Sequence, residues 1–210
     1  MLIIGAKGFA KEVLELCYQN GDNKSIAFYD DVNEDIGDIL YNQFPILHSI
    51  EQAKIYFETV DNQFTVGIGN PVLREKLTDK FTAIGGVLTS TISKNSNIGS
   101  FGVHIHNGCN IMTNVVLTND IIIEKGVLIN QMTSIGHDVK VGEFTEICPN
   151  VSISGNCIIG KKVFIGTGAI LLPGLIIGNN VVIGAGAMVS INLPDNCVAV
   201  GLPAKIIKQN

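Results

Sequence analysis

His137 is the side chain in this sequence best suited to acid–base chemistry, and Asp138 follows it directly. A neutral histidine can take a proton from an amine or a hydroxyl near pH 7, and a neighbouring carboxylate can raise its basicity and hold its tautomer. Eighteen residues before and after His137, a distance of three hexapeptides, lie Asn119 and Gly155, and a glycine beside a histidine leaves open space for a second molecule. An ordinary surface histidine is the competing interpretation.

The element that must position His137 is a six-residue repeat. Neither an α-helix nor a simple strand has this period, whereas a parallel β-helix takes one hexapeptide on each flat face and points its aliphatic side chain inward. Three faces make a coil of eighteen residues. The repeating aliphatic residues are Ile105, Ile111, Leu117, Ile123, Ile129, Ile135, Val141, Ile147, Ile153, Ile159, Ile165, Leu171, Ile177, Ile183 and Val189.

Further features of the repeat predict its details. The position four residues after the aliphatic residue is mostly small or apolar and is predicted to be a second inward slot. The glycines that directly follow aliphatic residues are predicted to form sharp corners between faces. The step from Ile98 to Ile105 is seven residues, which predicts a bulged first coil. After Val189 the repeat stops, and residues 198–205 are predicted to cap the end.

Residues 1–88 lack this period and alternate strand and helix patterns instead. Strands are predicted at 2–4, 26–29 and 64–68, and helices after residue 10, at 49–59 and from Pro71 onward. This βαβαβα order predicts a small Rossmann-like parallel sheet, and the loops at the carboxyl ends of its strands would hold any ligand.

The loop after the first strand contains Gly5 and Gly8, which permit a tight turn with free backbone N–H groups at a helix start. Such a helix start favours an anion. Full NAD binding is not expected, because Lys7 and Ala10 replace two glycines of the dinucleotide fingerprint. The acidic pair Asp30-Asp31 ends the next strand, where an acid can bind the ribose or base edge of a nucleotide. A plain glycine turn and a solvated acidic loop are the competing interpretation.

Composition excludes several classes of function. The net charge is −5 and no Lys/Arg cluster is present, which argues against nucleic acid as a partner. The apolar run at residues 1–5 is too short for a signal peptide and lacks its basic flank. No stretch of the sequence reaches the ~18 apolar residues of a membrane span. The five scattered cysteines indicate reduced thiols in a cytoplasmic protein. No metal is expected, because no His/Cys/Asp/Glu cluster shows metal-ligand spacing.

Several motifs, in this order along the whole chain, resemble the bacterial sugar O-/N-acyltransferases of the sialic acid O-acetyltransferase type, which include N-acetyltransferases of nucleotide-linked 4-amino-sugars. They are residues 5–13, the Asp30-Asp31 pair, residues 67–70 with Arg74, the hexapeptide repeat around residues 135–138, and the ending at 201–205. The resemblance implies a left-handed β-helix over residues 89–210 with a C-terminal cap. It also implies a homotrimer with active sites between subunits, acetyl-CoA as co-substrate in the groove between two prisms, and a nucleotide-sugar acceptor bound by the N-terminal domain of residues 1–88.

The resemblance also implies roles for particular residues. His137 matches the catalytic base and Asp138 its acidic partner, so that the acetyl group passes directly from the thioester to the acceptor without a covalent enzyme intermediate. Contacts to acetyl-CoA are expected from Glu146, Gly155, Thr167, Gly168, Ala185 and Lys205. Contacts to the nucleotide sugar are expected from Gly5, Ala6, Lys7, Gly8, Phe9, Asp30, Asp31, Gly69, Asn70 and Arg74.

The sequence departs from the family pattern at two positions. Glu146 stands where relatives often carry a second histidine that contacts the acetyl group, and a carboxylate cannot donate a hydrogen bond to a carbonyl unless it is protonated. Glu146 lies half a coil from His137, so the two could meet only across a subunit boundary. Either a backbone N–H such as that of Gly155 polarises the thioester, or the acyl chemistry is altered. Asn150 stands where a glycine is common.

The leading functional hypothesis is acetyl-CoA-dependent N-acetylation of a nucleotide-linked amino-deoxy sugar, of the 4-amino-4,6-dideoxy type, for surface glycan biosynthesis. Sugar O-acetylation of the sialic acid type is an alternative, because one histidine serves either acceptor. A non-catalytic trimeric scaffold that binds a ligand is a second alternative. An NAD-binding module is a weaker one, since only the glycine turn favours it.

Overall fold

The computed structural model describes residues 1–22 and 25–209. The chain consists of two compact units, Met1–Thr91 and Ile92–Asn210. Among the described residues, no helix combines the length and the apolar character needed to cross a membrane.

The first unit is a six-stranded sheet with helices on both sides. β1 lies at the centre and pairs in parallel with β2 and β5, and the strand order is β3-β4-β2-β1-β5-β6. The predicted Rossmann-like sheet is therefore present. Its elements are β1 (Leu2–Ile4), α1 (Gly8–Asn20), β2 (Ala27–Tyr29), a 3₁₀ turn (Glu34–Ile36), β3 (Ile39–Leu40), β4 (Phe44–Leu47), α2 (Ile50–Thr59), β5 (Gln63–Val66), α3 (Pro71–Thr82) and β6 (Val87–Leu88).

Local sequence signals account for the ends of these helices. α1 ends at Gly21, whose φ of 81° is the left-handed conformation that glycine adopts without strain. α2 begins with a capping box in which the Ser49 side chain accepts from the Gln52 N–H and the Gln52 side chain accepts from the Ser49 N–H. α3 begins after Asn70, whose side chain accepts from the N–H of Leu73, and Pro71 opens its first turn.

Three strands of the first unit are absent from the sequence prediction. β3 and β4 form an antiparallel hairpin whose second strand pairs in parallel with β2, and β6 adds an edge to β5. β3 and β6 are two residues long, too short to show a hydrophobic period.

The second unit is the left-handed parallel β-helix, and three sheets form its faces. Face 1 consists of β7 (Thr91–Ile92), β10 (Asn110–Ile111), β13 (Leu128–Ile129), β16 (Glu146–Ile147), β19 (Phe164–Ile165), β22 (Val182–Ile183), β24 (Cys197–Gly201) and β25 (Ala204–Gln209). Face 2 consists of β8 (Asn97–Ile98), β11 (Val116–Leu117), β14 (Ser134–Ile135), β17 (Ser152–Ile153), β20 (Ile170–Leu171) and β23 (Met188–Val189). Face 3 consists of β9 (His104–Ile105), β12 (Ile122–Ile123), β15 (Lys140–Val141), β18 (Ile158–Ile159) and β21 (Ile176–Ile177).

The aliphatic series forms the core of this unit, as predicted. The fourteen repeat residues from Ile111 to Val189 are at most 2 % exposed, and Ile105 packs against them partly buried. Successive coils pair at a spacing of eighteen residues, as in Ile111↔Ile129. The predicted bulge is also present, because β8 pairs with β11 at a spacing of nineteen, whereas β9 pairs with β12 at eighteen.

The glycines that follow the aliphatic residues have a different role from the predicted one. A Cβ on Gly160 would lie 2.6 Å from the carbonyl carbon of Gly178 in the next coil, and Gly142 meets Gly160 in the same way. Close approach of stacked coils therefore requires these glycines. The left-handed turns lie two residues later, and several are occupied by non-glycine residues such as Asn114, with φ of 60°.

The C-terminal segment caps the prism. β24 continues face 1 by pairing in parallel with β22, and β25 turns back antiparallel along β24. This hairpin agrees with the predicted end of the repeat after Val189.

Candidate active site

His137 and Asp138 lie at the corner where the chain passes from face 2 to face 3. The Nδ1 atom of His137 is 2.7 Å from Oδ2 of Asp138, and the His137 side chain is 61 % exposed. Because a carboxylate only accepts, Nδ1 of a neutral His137 must carry the proton. The Nε2 atom is then the acceptor that can take a proton from a substrate.

Backbone contacts with the coils on either side hold this corner. The N–H of Asp138, which has a left-handed φ of 57°, donates to the carbonyl of Asn119 at 3.1 Å. The carbonyl of His137 accepts from the N–H of Asn156 at 2.9 Å. Aspartate and asparagine tolerate the left-handed conformation better than most residues, so the turn suits the carboxylate that His137 needs.

Gly155 provides the space that the His137 ring occupies. A Cβ on Gly155 would lie 2.7 Å from Cε1 and 2.8 Å from Nε2 of His137. The N–H of Gly155 has no acceptor among residues 1–22 and 25–209, and its nitrogen would lie 2.7 Å from a Cβ on Gly136, the residue before His137. A free N–H beside a base can stabilise an oxyanion that develops at a neighbouring carbonyl.

The other residues predicted to contact acetyl-CoA lie elsewhere on the prism. Thr167, Gly168 and Ala185 lie at the corner between face 1 and face 2, where the Thr167 carbonyl accepts from the next coil and the Gly168 N–H donates to Pro149. Lys205 is exposed on the final strand. Within one chain, these residues and His137 therefore belong to different corners.

Glu146 is a buried sheet residue. It lies on face 1 between Leu128 and Phe164 and is 9 % exposed, so it lies on a different face from the corner of His137, as the spacing predicts. Its contact with acetyl-CoA stays a prediction. Burial, together with the negative charge of Glu146, raises the pKa of the nearby Cys148 thiol to about 11. The carboxylate therefore contributes to the electrostatics of face 1, away from the corner of His137.

In the first unit, three loops meet at the carboxyl edge of the sheet. The N–H of Gly5 donates to the carbonyl of Tyr29, and the N–H of Gly67 donates to that of Ile4, both at 2.8 Å. Gly5 has a φ of 100°, and a Cβ there would lie 3.1 Å from Cγ1 of Ile68. The loops after β1, β2 and β5 are thus adjacent, as expected for a ligand site at this edge.

Several residues predicted to bind the nucleotide sugar hold these loops instead. Arg74 is 1 % exposed, and its guanidinium donates to the carbonyls of Ile68 and Gly69. Ala6 is fully buried under α1, and Asp30 is buried with its carboxylate occupied by the following turn. In the structure, the side chains of Arg74, Ala6 and Asp30 therefore support the loops, and the contacts predicted from these residues to the nucleotide sugar stay a prediction.

The remaining predicted residues of this site are more accessible. Gly8 begins α1 with open space around it, and Phe9 packs partly buried against the α1 side of the sheet. Lys7 forms an ion pair of 2.8 Å with Asp35 that links the glycine loop to the 3₁₀ turn. Asn70 is exposed at the start of α3. Asp31 is partly exposed beside Asp30.

Sequence reasoning missed two residues at this site, Tyr29 and Lys80, which both hydrogen-bond to Asp31. No local pattern connects Lys80 to Asp31, because the two are 49 positions apart. Within the described ranges, no group of three or more His, Cys, Asp or Glu side chains is arranged to hold a metal ion.

Comparisons with known proteins match both units. Residues 1–81 match the family model of the PglD N-terminal domain, and residues 156–190 match that of the bacterial transferase hexapeptide with six repeats.

Three solved structures match almost the whole chain. A variant of perosamine N-acetyltransferase from Caulobacter crescentus, in complex with CoA and GDP-perosamine, is 28 % identical with a TM-score of 0.90, over 99 % of this chain and 96 % of that one. WeeI from Acinetobacter baumannii is 31 % identical with a TM-score of 0.89, over 98 % of both chains. The acetyltransferase domain of PglB from Neisseria gonorrhoeae, in complex with acetyl coenzyme A, is 29 % identical with a TM-score of 0.86, over 98 % of both chains.

Two curated relatives match a shorter region. Serine acetyltransferase of Buchnera aphidicola is 38 % identical over 111 residues, which are 52 % of this chain and 41 % of that protein. Galactoside O-acetyltransferase of Escherichia coli is 32 % identical over 128 residues, which are 52 % of this chain and 56 % of that protein. The chain thus spans about half the length of these relatives. With a PglD-type first unit, a hexapeptide β-helix, a full-length structural match to perosamine N-acetyltransferase and one of 31 % identity to WeeI, the chain belongs to the hexapeptide-repeat acyltransferases of nucleotide-linked amino sugars.

Proposed function

We propose that this protein transfers the acetyl group of acetyl-CoA to the amine of a nucleotide-linked amino-deoxy sugar, of the 4-amino-4,6-dideoxy type. The observation that carries the proposal is the His137–Asp138 pair, with its free Nε2 atom, on a fold shared over its full length with sugar N-acetyltransferases. The product would serve surface glycan biosynthesis.

The reaction we propose is a direct transfer. The neutral amine attacks the thioester carbonyl and forms the N–C bond, while Nε2 of His137 takes the amine proton. Collapse of the tetrahedral intermediate breaks the C–S bond, and the leaving CoA thiolate takes the proton from Nε2 of His137, which returns the base to its neutral form. Asp138 holds the imidazole in the required tautomer and stabilises its charged form, and the N–H of Gly155 is the group we assign to the developing oxyanion.

We assign the binding of the nucleotide part of the acceptor to the first unit, at the loops that carry Gly5, Gly8, Asp31 and Gly69. The similarity over nearly the whole chain to perosamine N-acetyltransferase, whose structure contains GDP-perosamine, supports nucleotide-sugar binding by this protein. We assign acetyl-CoA to the β-helix, with contacts from Thr167, Gly168, Ala185 and Lys205.

We further propose a homotrimer whose active sites combine corners of adjacent subunits. The exposed aliphatic side chains on faces 2 and 3, which flank the corner of His137, support this assembly because a second copy would cover them. They are Val116, Ile158, Ile170, Leu172, Ile176 and Ile191. A solution mass of three times 22.4 kDa by light scattering is expected, and a monomer would contradict the assembly. The buried free cysteines agree with a cytoplasmic location.

The test of the reaction uses purified protein, acetyl-CoA and a panel of nucleotide-linked 4-amino sugars, with CoA release followed by a thiol reagent. The acetylated product should resist mild hydroxylamine, because an amide survives conditions that cleave an ester. O-acetylation is the second candidate, favoured by the relationship to galactoside O-acetyltransferase. A hydroxylamine-labile product, formed only with hydroxyl acceptors, would establish that alternative.

A further inference from the structure

We propose that Lys80 and Tyr29 are positioning residues that orient Asp31, and that Asp31 rather than Asp30 is the carboxylate that receives a hydrogen-bond donor of the nucleotide. The inference rests on the proposed role of the first unit in nucleotide binding. Asp31 lies two residues after the end of β2, whose last carbonyl, that of Tyr29, accepts from Gly5 of the glycine loop, so Asp31 lies at the edge of the sheet where the ligand is expected.

Asp30 is buried, and both of its carboxylate oxygens already accept hydrogen bonds from its own loop. Its Oδ1 atom accepts from the N–H groups of Val32 and Asn33 at 3.2 and 3.0 Å, and both of its oxygens accept from the side-chain amide of Asn33. Its carbonyl is in contact with Nδ1 of His48 at 2.9 Å. These bonds and its burial make Asp30 the residue that shapes the loop.

Asp31 has the opposite arrangement. Both of its hydrogen bonds from other residues converge on Oδ2, which accepts from the Tyr29 hydroxyl at 2.7 Å and from Lys80 Nζ at 3.1 Å. Within the described part of the chain, no other residue donates to Oδ1. The side chain is 36 % exposed. Oδ2 is therefore fixed by Tyr29 and Lys80, while Oδ1 is available to a ligand.

The cation that fixes Asp31 is itself held in place. Lys80 Nζ lies 5.3 Å from the centre of the Tyr29 ring and 5.8 Å from that of Phe81, within the range of cation–π attraction. The ring of Tyr29 is buried and packs edge-on against Phe81 at 4.8 Å. Tyr29 and Lys80, which together form a clamp on Asp31, are therefore held by buried aromatic packing, unlike the two mobile side chains of a surface ion pair.

The clamp determines which ligand groups fit. Burial alone would raise the pKa of Asp31, but the hydrogen bonds from Tyr29 and Lys80 outweigh it and lower that pKa, so the carboxylate stays ionised at neutral pH. An ionised carboxylate only accepts hydrogen bonds. Asp31 is thus suited to a ribose hydroxyl or a base N–H of a nucleoside diphosphate, and it would repel an additional phosphate at that point.

The experiment measures binding of UDP, GDP and dTDP to the purified full-length protein by calorimetry, and then uses the tightest of the three. Asp31→Asn should weaken that binding by about tenfold or more, and Lys80→Met by about three- to tenfold, as expected for charge-assisted hydrogen bonds. Tyr29→Phe should weaken it by about two- to fivefold. In the double variant D31N/K80M, the effect of Lys80→Met should disappear, because Lys80 acts through Asp31.

The controls separate positioning from general stability. Lys80→Arg should restore binding to within about twofold of the wild type, because it returns the cation. Lys76→Met, an exposed lysine on the same helix, should leave binding unchanged. An undiminished effect of Lys80→Met in the Asp31→Asn background, or binding of none of the three nucleotides, would overturn the inference. Nucleotide binding through Asp31 without acetyl transfer would instead overturn only the proposed function.

Discussion

The imidazole of His137 occupies the volume that a side chain at Gly155 would fill in the next coil. The eighteen-residue coil places these two residues in contact, so the geometry of the proposed base depends on the absence of a single methyl group at position 155.

Gly155→Ala should therefore disable the site without unfolding the prism. The added Cβ would lie 2.7 Å from the His137 ring, and an exposed imidazole can rotate away at little cost. We expect kcat to fall by roughly 10- to 100-fold, with a small change in Tm. Ser190→Ala, on the same edge of face 2 in the last coil, is the matched control and should retain activity. An unchanged kcat in Gly155→Ala would show that the contact is irrelevant to catalysis.

Asp138→Asn tests the partner of the base. Asparagine tolerates the φ of 57° at this position, so the backbone should stay in place while the charge is lost. The amide can also donate to Nδ1 and favour the wrong tautomer, so we expect about a 10- to 100-fold loss in kcat with a nearly constant KM for acetyl-CoA. Asp120, at the equivalent position one coil earlier with φ of 54°, provides the control Asp120→Asn. Equal losses in both variants would contradict a specific role for Asp138.

Gly160→Ala tests why glycine follows the aliphatic residue of the repeat. Its Cβ would approach the backbone of Gly178 to 2.6 Å, and rigid backbone cannot move aside as a side chain can. We expect the free energy of unfolding to fall by about 3 kcal/mol or more, measured by chemical denaturation. Asn114→Gly, at a left-handed turn, should change it by less than about 1 kcal/mol. A larger loss of stability in Asn114→Gly than in Gly160→Ala would indicate instead that Gly160 is needed to form a sharp corner between faces.

The cysteines should be inert in the folded protein. Burial raises the pKa of the Cys17 and Cys148 thiols to about 11, and it also raises those of Cys157 and Cys197. A thiol with a raised pKa becomes a reactive thiolate only as the pH approaches that raised value, so these four remain protonated at pH 8. Iodoacetamide at pH 8 should leave the activity intact and label cysteines only after unfolding, as measured by mass spectrometry. Inactivation with labelling of one cysteine would contradict direct transfer.

The β-helix could be predicted almost completely because its period is a repeated physical constraint. Every sixth side chain must fill the same narrow interior, so fifteen positions report one structure, and spacing alone places Gly155 beside His137. The role of the glycines could not be predicted in this way. The distance between stacked backbones excludes a side chain there, whereas the left-handed turns accept residues such as Asn114.

The first unit was less predictable because its decisive contacts are distant in sequence. The order of strands and helices indicates which loops meet, but not which side chains face a ligand. Arg74 is turned inward to bind loop carbonyls, and Asp30 is occupied by its own turn. The hydrogen bond between Lys80 and Asp31 depends on the packing of α3 against the sheet, which no motif encodes.

The most direct test of the account is the turnover of a His137→Ala variant with acetyl-CoA and the best nucleotide-linked amino sugar found for the wild type. We expect kcat to fall by about 10²-fold or more, while the mass in solution and the Tm stay those of the wild type. A folded variant with wild-type turnover would contradict His137 as the base and with it the proposed mechanism.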